Sequence, residues 1–188
     1  MAARPQESYS PDEYLAMEQE SDIRHEYFDG HIVAMSGASI NHNQIVGNAA
    51  GELRNALRGK SCRVFSTDLK VGFASRRFYL YPDVLVVCGK LDVEPKRDDT
   101  VRNPTLIIEV LSRSTQSFDK SEKFELYRSI PSMQEYVMID QKRVYVEHYR
   151  KKGRFWVMET LSDLKESLEL ASLGVTITVA VLYEQVQF

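Results

Sequence analysis

The sequence predicts an α+β protein in which helices flank a mixed central β-sheet. Several segments rich in β-branched and aromatic residues follow one another with short turns between them, as strands of a sheet do. Two other segments repeat apolar residues at helical spacing. Strands in runs, interrupted by only a few helices, are typical of the α+β class.

Size and composition are those of a globular domain. The chain has 188 residues, of which 43% are hydrophobic and 27% charged. We expect one domain over 1–188, with a flexible N-terminus at 1–9. The net charge of −3 gives no overall signal for nucleic acid binding, although a local basic patch would not alter it much.

Several classes of partner are not expected. No apolar stretch reaches the ~20 residues that cross a bilayer, and the first residues lack a signal-peptide core, so we expect a cytoplasmic protein without a membrane partner. No motif indicates an organic cofactor. Cys62 and Cys88 show no metal-ligand spacing and are expected to be reduced core residues.

The first elements carry clear start and turn signals. Ser10, Pro11 and Glu13 form a capping-box pattern, which predicts a short helix through Met17. Asp29-Gly30 supplies the positive φ angles of a hairpin turn between strands at 25–28 and 31–35. Asn41 is expected to cap a second helix that ends near Gly59. Further strands are predicted at 62–66, 69–73 and 78–87.

The second half contains the central strand and one more helix. A charged loop over 89–102 leads to a strand at 106–111, and Pro131 ends a helix predicted over 117–130. The tail over 174–188 is predicted as a strand or a helix, since its periodicity does not decide between them. The remaining strands are predicted at 134–140, 143–150 and 155–160.

Two carboxylates interrupt runs that otherwise predict buried strands. Glu109 stands within Leu106 to Leu111, and Asp83 precedes Val84 to Val87. Burying an ionised carboxylate without a partner costs several kcal/mol, so each acid calls for a counter-charge. A hard divalent cation such as Mg²⁺, with Mn²⁺ as substitute, prefers carboxylate oxygens and would serve both acids. The alternative for Asp83 is a turn or cap, and for Glu109 a buried salt bridge.

A metal-dependent nuclease also needs a cation near the acids. The position two residues after Glu109, where such nucleases carry lysine, holds Leu111. Lys123 on the following helix is the candidate replacement, with Lys120 as a local competitor. The alternatives for Lys123 are the salt-bridge partner of Glu109 and a solvated helix lysine.

Three further residues are candidates for the same site. Glu26 is either a third acid near the metal or an edge charge of the hairpin. His42 either contacts a phosphate or packs at the start of its helix. Asp119 either lies at the site or complements the positive end of its helix.

These residues together resemble a known family. The segments Tyr81-Pro82-Asp83-Val84 and Glu109-Val110-Leu111-Ser112-Arg113-Ser114-Thr115, followed by Asp119, Lys123, Tyr127 and Glu135-Tyr136, are similar to the Uma-type putative restriction endonucleases. That family, formerly a domain of unknown function, is a branch of the PD-(D/E)XK nuclease superfamily. Glu26 before Phe28-Asp29-Gly30 and His42 also fit its pattern, and the resemblance runs from about Ser10 to the C-terminus.

The resemblance implies a restriction endonuclease-like fold and a catalytic set. Asp83 and Glu109 would bind the metal, and Lys123 would be a lysine relocated to the helix, since this branch shares the departure at Leu111. It also implies a homodimer. The leading hypothesis is a Mg²⁺-dependent endonuclease acting on DNA. The alternatives are an inactive nuclease fold that binds nucleic acid, and a structural dimerisation module in which Glu109 and Lys123 form an ion pair.

Overall fold

A computed structural model describes residues 8–66, 68–111 and 122–188. The helices are α1 (Pro11–Glu20), α2 (Ile40–Ala56), α3 (Phe124–Arg128) and α4 (Val179–Leu182). None of them, within these residues, is long and apolar enough to cross a membrane. The strands are β1 (His25–Phe28), β2 (His31–Ala34), β3 (Cys62–Ser66), β4 (Lys70–Gly72), β5 (Phe78–Leu80), β6 (Val84–Cys88), β7 (Thr100–Val101), β8 (Leu106–Leu111), β9 (Glu135–Asp140), β10 (Val146–Lys152), β11 (Phe155–Leu161), β12 (Ser167–Leu170) and β13 (Val175–Thr178).

The strands form mixed sheets, which confirms the predicted α+β class. One sheet has the order β11-β10-β9-β8-β6-β3. In this sheet β8 and β9 run parallel to each other, and every other pair of neighbouring strands is antiparallel. A second sheet has the order β2-β1-β5-β4-β7, and β12 with β13 forms a hairpin. The sequence predicted one central sheet and did not predict β7 or β12.

The six-stranded sheet separates two apolar cores. On one face, Val84, Val86 and Ile108 pack with α2, α4 and the β12–β13 hairpin. On the other face, Leu85, Ile107 and Leu111 pack with α3 and the five-stranded sheet. Every residue of β8 is buried, because both faces of this central strand are covered. Any polar side chain on β8 therefore lies inside the protein.

The predicted start signals hold at α1 and at the hairpin. Ser10 and Glu13 form the capping box, and Asp29 and Gly30 have φ values of 45° and 98° in the turn. At α2 the predicted cap is wrong: Ser39, whose hydroxyl accepts a hydrogen bond from the His42 amide, stands at the N-cap instead of Asn41. Residues 1–7 of the expected flexible N-terminus lie outside the described residues.

Two other predictions need correction. The single strand predicted over 78–87 is broken at Tyr81–Asp83, because Pro82 supplies no N–H for a ladder and the chain passes there from one sheet to the other. Cys62 and Cys88 were expected to be reduced, but they are Cα partners in the β3–β6 pair and form a disulfide. The tail resolves into a strand, β13, followed directly by the short helix α4.

Candidate active site

The two predicted metal-binding acids face each other across neighbouring strands. The antiparallel register of β6 and β8 pairs Val84 with Ile108. One step further, the same register places Asp83 opposite Glu109. Both acids share the sheet face of Leu85 and Ile107, because side chains alternate along a strand. Like charges directly opposite in a sheet repel, so this pair of positions needs a cation.

Asp83 is fixed from two sides. Its Oδ2 accepts a hydrogen bond of 2.7 Å from the amide of Val110, which follows Glu109 on β8. The same oxygen lies 3.2 Å from Nε2 of His42, in the first turn of α2. The Asp83 and His42 side chains are 18% and 13% exposed, so both remain accessible from solvent. The structure thus places His42 beside one of the two acids.

Glu109 lies next to Lys123, the residue that immediately precedes α3. The Lys123 ammonium is 3.5 Å from Glu109 Oε1 and 2.9 Å from Glu26 Oε1. The Tyr127 hydroxyl donates a hydrogen bond of 3.3 Å to Glu109 Oε1. Lys123 and Tyr127 are four residues apart and therefore share a helical face. The relocated lysine predicted by the sequence does reach the acids.

Glu26 joins the site from the five-stranded sheet. Its Oε1 accepts a hydrogen bond of 3.2 Å from the Tyr81 amide, in addition to the Lys123 contact. Lys123 therefore bridges an acid on each of the two sheets. Five predicted candidates meet in one place: Glu26, His42, Asp83, Glu109 and Lys123. Asp119, the sixth, and Lys120, the competing lysine, lie outside the described residues.

A buried polar cluster behind Tyr81 was not predicted. The Tyr81 hydroxyl donates to Glu18 Oε1 at 2.8 Å and accepts from the Lys70 ammonium at 3.1 Å, and Lys70 lies 2.6 Å from Asp99. Glu18 and Lys70 are each only 2% exposed. We call Glu18, Lys70, Tyr81 and Asp99 the Tyr81 cluster. The one sequence signal was that Glu18 follows Tyr14 and Leu15 by one helical turn, on the face that α1 buries.

The Tyr81 cluster has perturbed titration behaviour. Burial, with the hydrogen bond to Glu18, raises the pKa of the Tyr81 phenol, so the hydroxyl stays protonated at neutral pH. Burial also lowers the pKa of the Lys70 ammonium, against the attraction of Asp99. Burial would raise the pKa of Asp99, but hydrogen bonds from Arg97 and Lys70 outweigh it and hold that pKa well below its usual range. The cluster is therefore held by a charged pair and a neutral phenol.

A second unpredicted contact ties the start of α2 to the end of β8. The Gln141 side chain donates a hydrogen bond of 2.8 Å to the Leu111 carbonyl and accepts one from the Ser39 hydroxyl. Ser39 caps the helix whose first turn carries His42. Gln141 thus connects the histidine-bearing helix end to the strand that carries Glu109. No local sequence pattern signals such a long-range link.

These groups line a cavity of about 1490 Å³. Its wall includes Glu26, His42, Asp83, Glu109 and Lys123, together with residues of the β2–α2 connection. A smaller cavity of about 270 Å³ borders the Tyr81 cluster. Tyr81, Arg24 and Asp68 line both cavities, so the candidate site and the cluster are neighbours.

Relatives share most of the chain. "Uncharacterized protein sll1609" of Synechocystis sp. is 36% identical over 164 residues, which cover 87% of this chain and 93% of the relative. "Uncharacterized protein slr1290" of the same organism is 35% identical over 181 residues, covering 95% and 93%.

A solved structure shares the fold. It is the crystal structure of a putative nuclease belonging to DUF820 from Anabaena variabilis. It matches with a TM-score of 0.78 and 18% identity, over 95% of this chain and 99% of that one. This agreement confirms the restriction endonuclease-like fold. Residues 11–180 match the Uma2 family, described as "Putative restriction endonuclease". The chain therefore belongs to the Uma2 family, as its Asp83, Glu109 and Lys123 pattern predicted.

Proposed function

We propose that this protein is a Mg²⁺-dependent endonuclease that hydrolyses DNA phosphodiester bonds. The observation that carries this proposal is the facing pair Asp83 and Glu109, which lines a large cavity beside the Lys123 ammonium. Two carboxylates that face each other across a sheet are costly unless a cation serves them. Membership of a family described as restriction endonucleases supports the same reaction class.

The donor set fits a hard divalent cation. Asp83 and Glu109 would supply carboxylate oxygens, the ligands that Mg²⁺ and Mn²⁺ prefer. Among the residues that the structure describes, no group of three or more His, Cys, Asp or Glu is arranged to hold a metal. Mg²⁺ commonly keeps several water ligands and uses one or two carboxylates with substrate phosphate, so two protein acids suffice. When bound, the metal would lower the pKa of a water ligand and offset charge on the phosphate.

The chain's own residues have separate tasks in this proposal. Lys123 would stabilise negative charge on the phosphate, since its ammonium already lies between carboxylates at the cavity. Glu26 and Tyr127 would position Lys123 and Glu109, which they contact directly. His42, 3.2 Å from Asp83, would orient that carboxylate and could carry a proton for the leaving oxygen.

The test is DNA cleavage by a matched pair of variants. Plasmid and single-stranded DNA are incubated with Mg²⁺ or Mn²⁺ and with wild type, Glu109→Ala or Glu125→Ala. Glu125 is an acid of the same cavity wall whose side chain is 58% exposed and paired with Arg128, so it controls for loss of one negative charge. We expect wild type and Glu125→Ala to cleave and Glu109→Ala to be inactive. An inactive wild type, or an active Glu109→Ala, refutes the proposal.

A second candidate function is a nuclease-fold protein that binds nucleic acid, or serves as a dimeric scaffold, without cleaving. The favouring observation is that Lys123 already compensates both Glu26 and Glu109 at 2.9 Å and 3.5 Å. A closed ion pair would need no metal. Calorimetric titration with Mn²⁺ separates the two: binding that is lost in Asp83→Asn supports the endonuclease, whereas no binding supports the scaffold.

We also propose that the protein is one restriction endonuclease-like domain that forms a homodimer. Strand β11 supports the dimer, since it lies at the edge of its sheet and leaves Phe155, Val157 and Met158 at 62%, 44% and 51% exposure. The mass in solution, measured by light scattering for wild type and Val157→Lys, tests this. A monomeric wild type contradicts it.

A further inference from the structure

The candidate site lies at the bottom of a recess. Glu109, Lys123 and Glu26 are only 3%, 5% and 8% exposed, although all three line the cavity. A phosphodiester reacts only when its phosphorus and the attacking water come within bonding distance of these groups. Since the groups sit below the surface, the nucleic acid strand itself has to enter the cavity. A duplex is stiff and keeps its bases paired and stacked, so a separated strand enters such a recess more readily than a duplex does.

The cavity wall offers little to a duplex backbone. Among the described residues that line it, six are acidic and three are basic. Of the basic residues, Arg24 pairs with Asp68 at 3.2 Å, and Lys123 pairs with Glu26 and Glu109. Duplex DNA is held mainly by lysine and arginine contacts to its phosphates, so the described part of this wall does not favour it.

The accessible part of the wall also carries aliphatic side chains, beside exposed charged residues such as Asp68 and Glu125. Ile23, Val33 and Met35 line the cavity and are 55%, 51% and 40% exposed. Val33 lies on β2, at the edge of the five-stranded sheet, and the other two flank the β1–β2 hairpin. We call these three residues the aliphatic lip. An unpaired base presents an apolar face that can pack there, whereas the bases of a duplex are stacked and paired.

We propose that this site takes single-stranded DNA, with a base beside the reacting phosphate packed against the aliphatic lip. The inference rests on the proposed function and specifies its substrate. The recess admits one strand, the acidic wall disfavours two closely spaced backbones, and the lip contacts the exposed base. Affinity then depends on apolar contact and on a divalent cation more than on lysine and arginine. Binding should therefore depend weakly on salt, as for a protein that contacts about one to three phosphates.

The test is binding, measured by fluorescence anisotropy with a labelled oligonucleotide, single-stranded or annealed to its complement, in Ca²⁺ to prevent turnover. We expect the single strand to bind at least about tenfold tighter than the duplex. Val33→Ser and Met35→Ser should each weaken single-strand binding about three- to tenfold, the effect of removing part of an apolar contact. Val93→Ser is the matched control, since Val93 is 36% exposed and outside the cavity. Equal affinity for duplex, or equal effects of Val33→Ser and Val93→Ser, overturns the inference.

The result is separable from that of the cleavage assay. Cleavage that needs Glu109, without a strand preference, overturns this inference and leaves the proposed function standing. If wild type prefers single strands through the aliphatic lip but does not cleave them, the proposed function is refuted and this inference stands. Thermal unfolding of each variant checks that the exposed substitutions leave the fold intact.

Discussion

Two buried ammonium groups are linked to different atoms of Tyr81, Lys70 to its hydroxyl and Lys123 through Glu26 to its amide, and they are held differently. In the Tyr81 cluster, Lys70 makes contacts of 2.6 Å and 3.1 Å with Asp99 and the Tyr81 hydroxyl. In the candidate site, Lys123 is shared by Glu26 at 2.9 Å and Glu109 at 3.5 Å. Lys70 borders a cavity of about 270 Å³, whereas Lys123 lines one of about 1490 Å³.

We interpret the difference as one between a structural charge, Lys70, and a proposed catalytic charge, Lys123. Lys70 has one close carboxylate and a neutral phenol, an arrangement that fixes a single geometry. Lys123 lies between two carboxylates that also have other tasks, beside space that a ligand can fill. We therefore expect substitutions in the Tyr81 cluster to lower stability first, and substitutions in the candidate site to lower activity first.

The largest effect is expected for Lys123→Met. Loss of the ammonium should lower cleavage about 10²- to 10³-fold, the usual cost of one group that stabilises transition-state charge. Mn²⁺ affinity, measured by calorimetry, should rise, because the acids lose a competing cation. Lys142→Met is the control, since Lys142 is an exposed lysine of the same cavity wall. Full activity of Lys123→Met would make Lys123 a structural charge like Lys70.

Lys70→Met should mainly cost stability. The substitution leaves Asp99 half-buried with only Arg97 as its close cationic partner. We expect the free energy of unfolding to fall by about 2–3 kcal/mol, somewhat less than the 3–5 kcal/mol typical of a broken buried pair. Urea unfolding measures this, with the exposed Lys96→Met as control because Lys96 lines the same small cavity. A loss no larger than that of Lys96→Met contradicts the structural role.

Tyr81→Phe should have a smaller effect that reaches both regions. The variant loses hydrogen bonds to Glu18 and Lys70 but keeps the amide that donates to Glu26. We expect about 1–2 kcal/mol of lost stability, as for buried hydrogen bonds. Because the main-chain link to the site survives, cleavage should fall no more than severalfold. A loss as large as that of Lys123→Met would show that the two regions act as one.

The smallest and most gradual effect is expected with pH. The pKa of Asp99 is lower in the folded protein than in the unfolded chain, so its stabilisation is complete above the unfolded pKa, near 4. It is lost progressively as the pH falls from there through the folded pKa. Asp99→Asn should be less stable at neutral pH and should show a shallower decline below about pH 4. Parallel pH profiles of unfolding for the two proteins would contradict this.

The site's acids could be predicted from the sequence because each breaks a local pattern. Glu109 interrupts an apolar strand, and a buried carboxylate is conspicuous wherever it occurs. The Tyr81 cluster could not be predicted, since Glu18 and Lys70 are ordinary charged residues until two distant segments pack together. The same holds for the break at Tyr81–Asp83 and for the Cys62–Cys88 bond, which depend on how strands pair across the fold. Local patterns predict elements, whereas strand pairing decides which elements meet.

The parallel pairing of β8 with β9 has a consequence for the order of folding. Parallel neighbours need a long crossover, and Lys123 lies in the chain between these two strands. Asp83 and Glu109 come together once β6 and β8 form their antiparallel pair, which involves no crossover of this kind. Lys123 is confined above them only after the chain has closed the longer loop to β9, an entropically slower step. Nascent chains should therefore acquire their paired acids before the cation that compensates them.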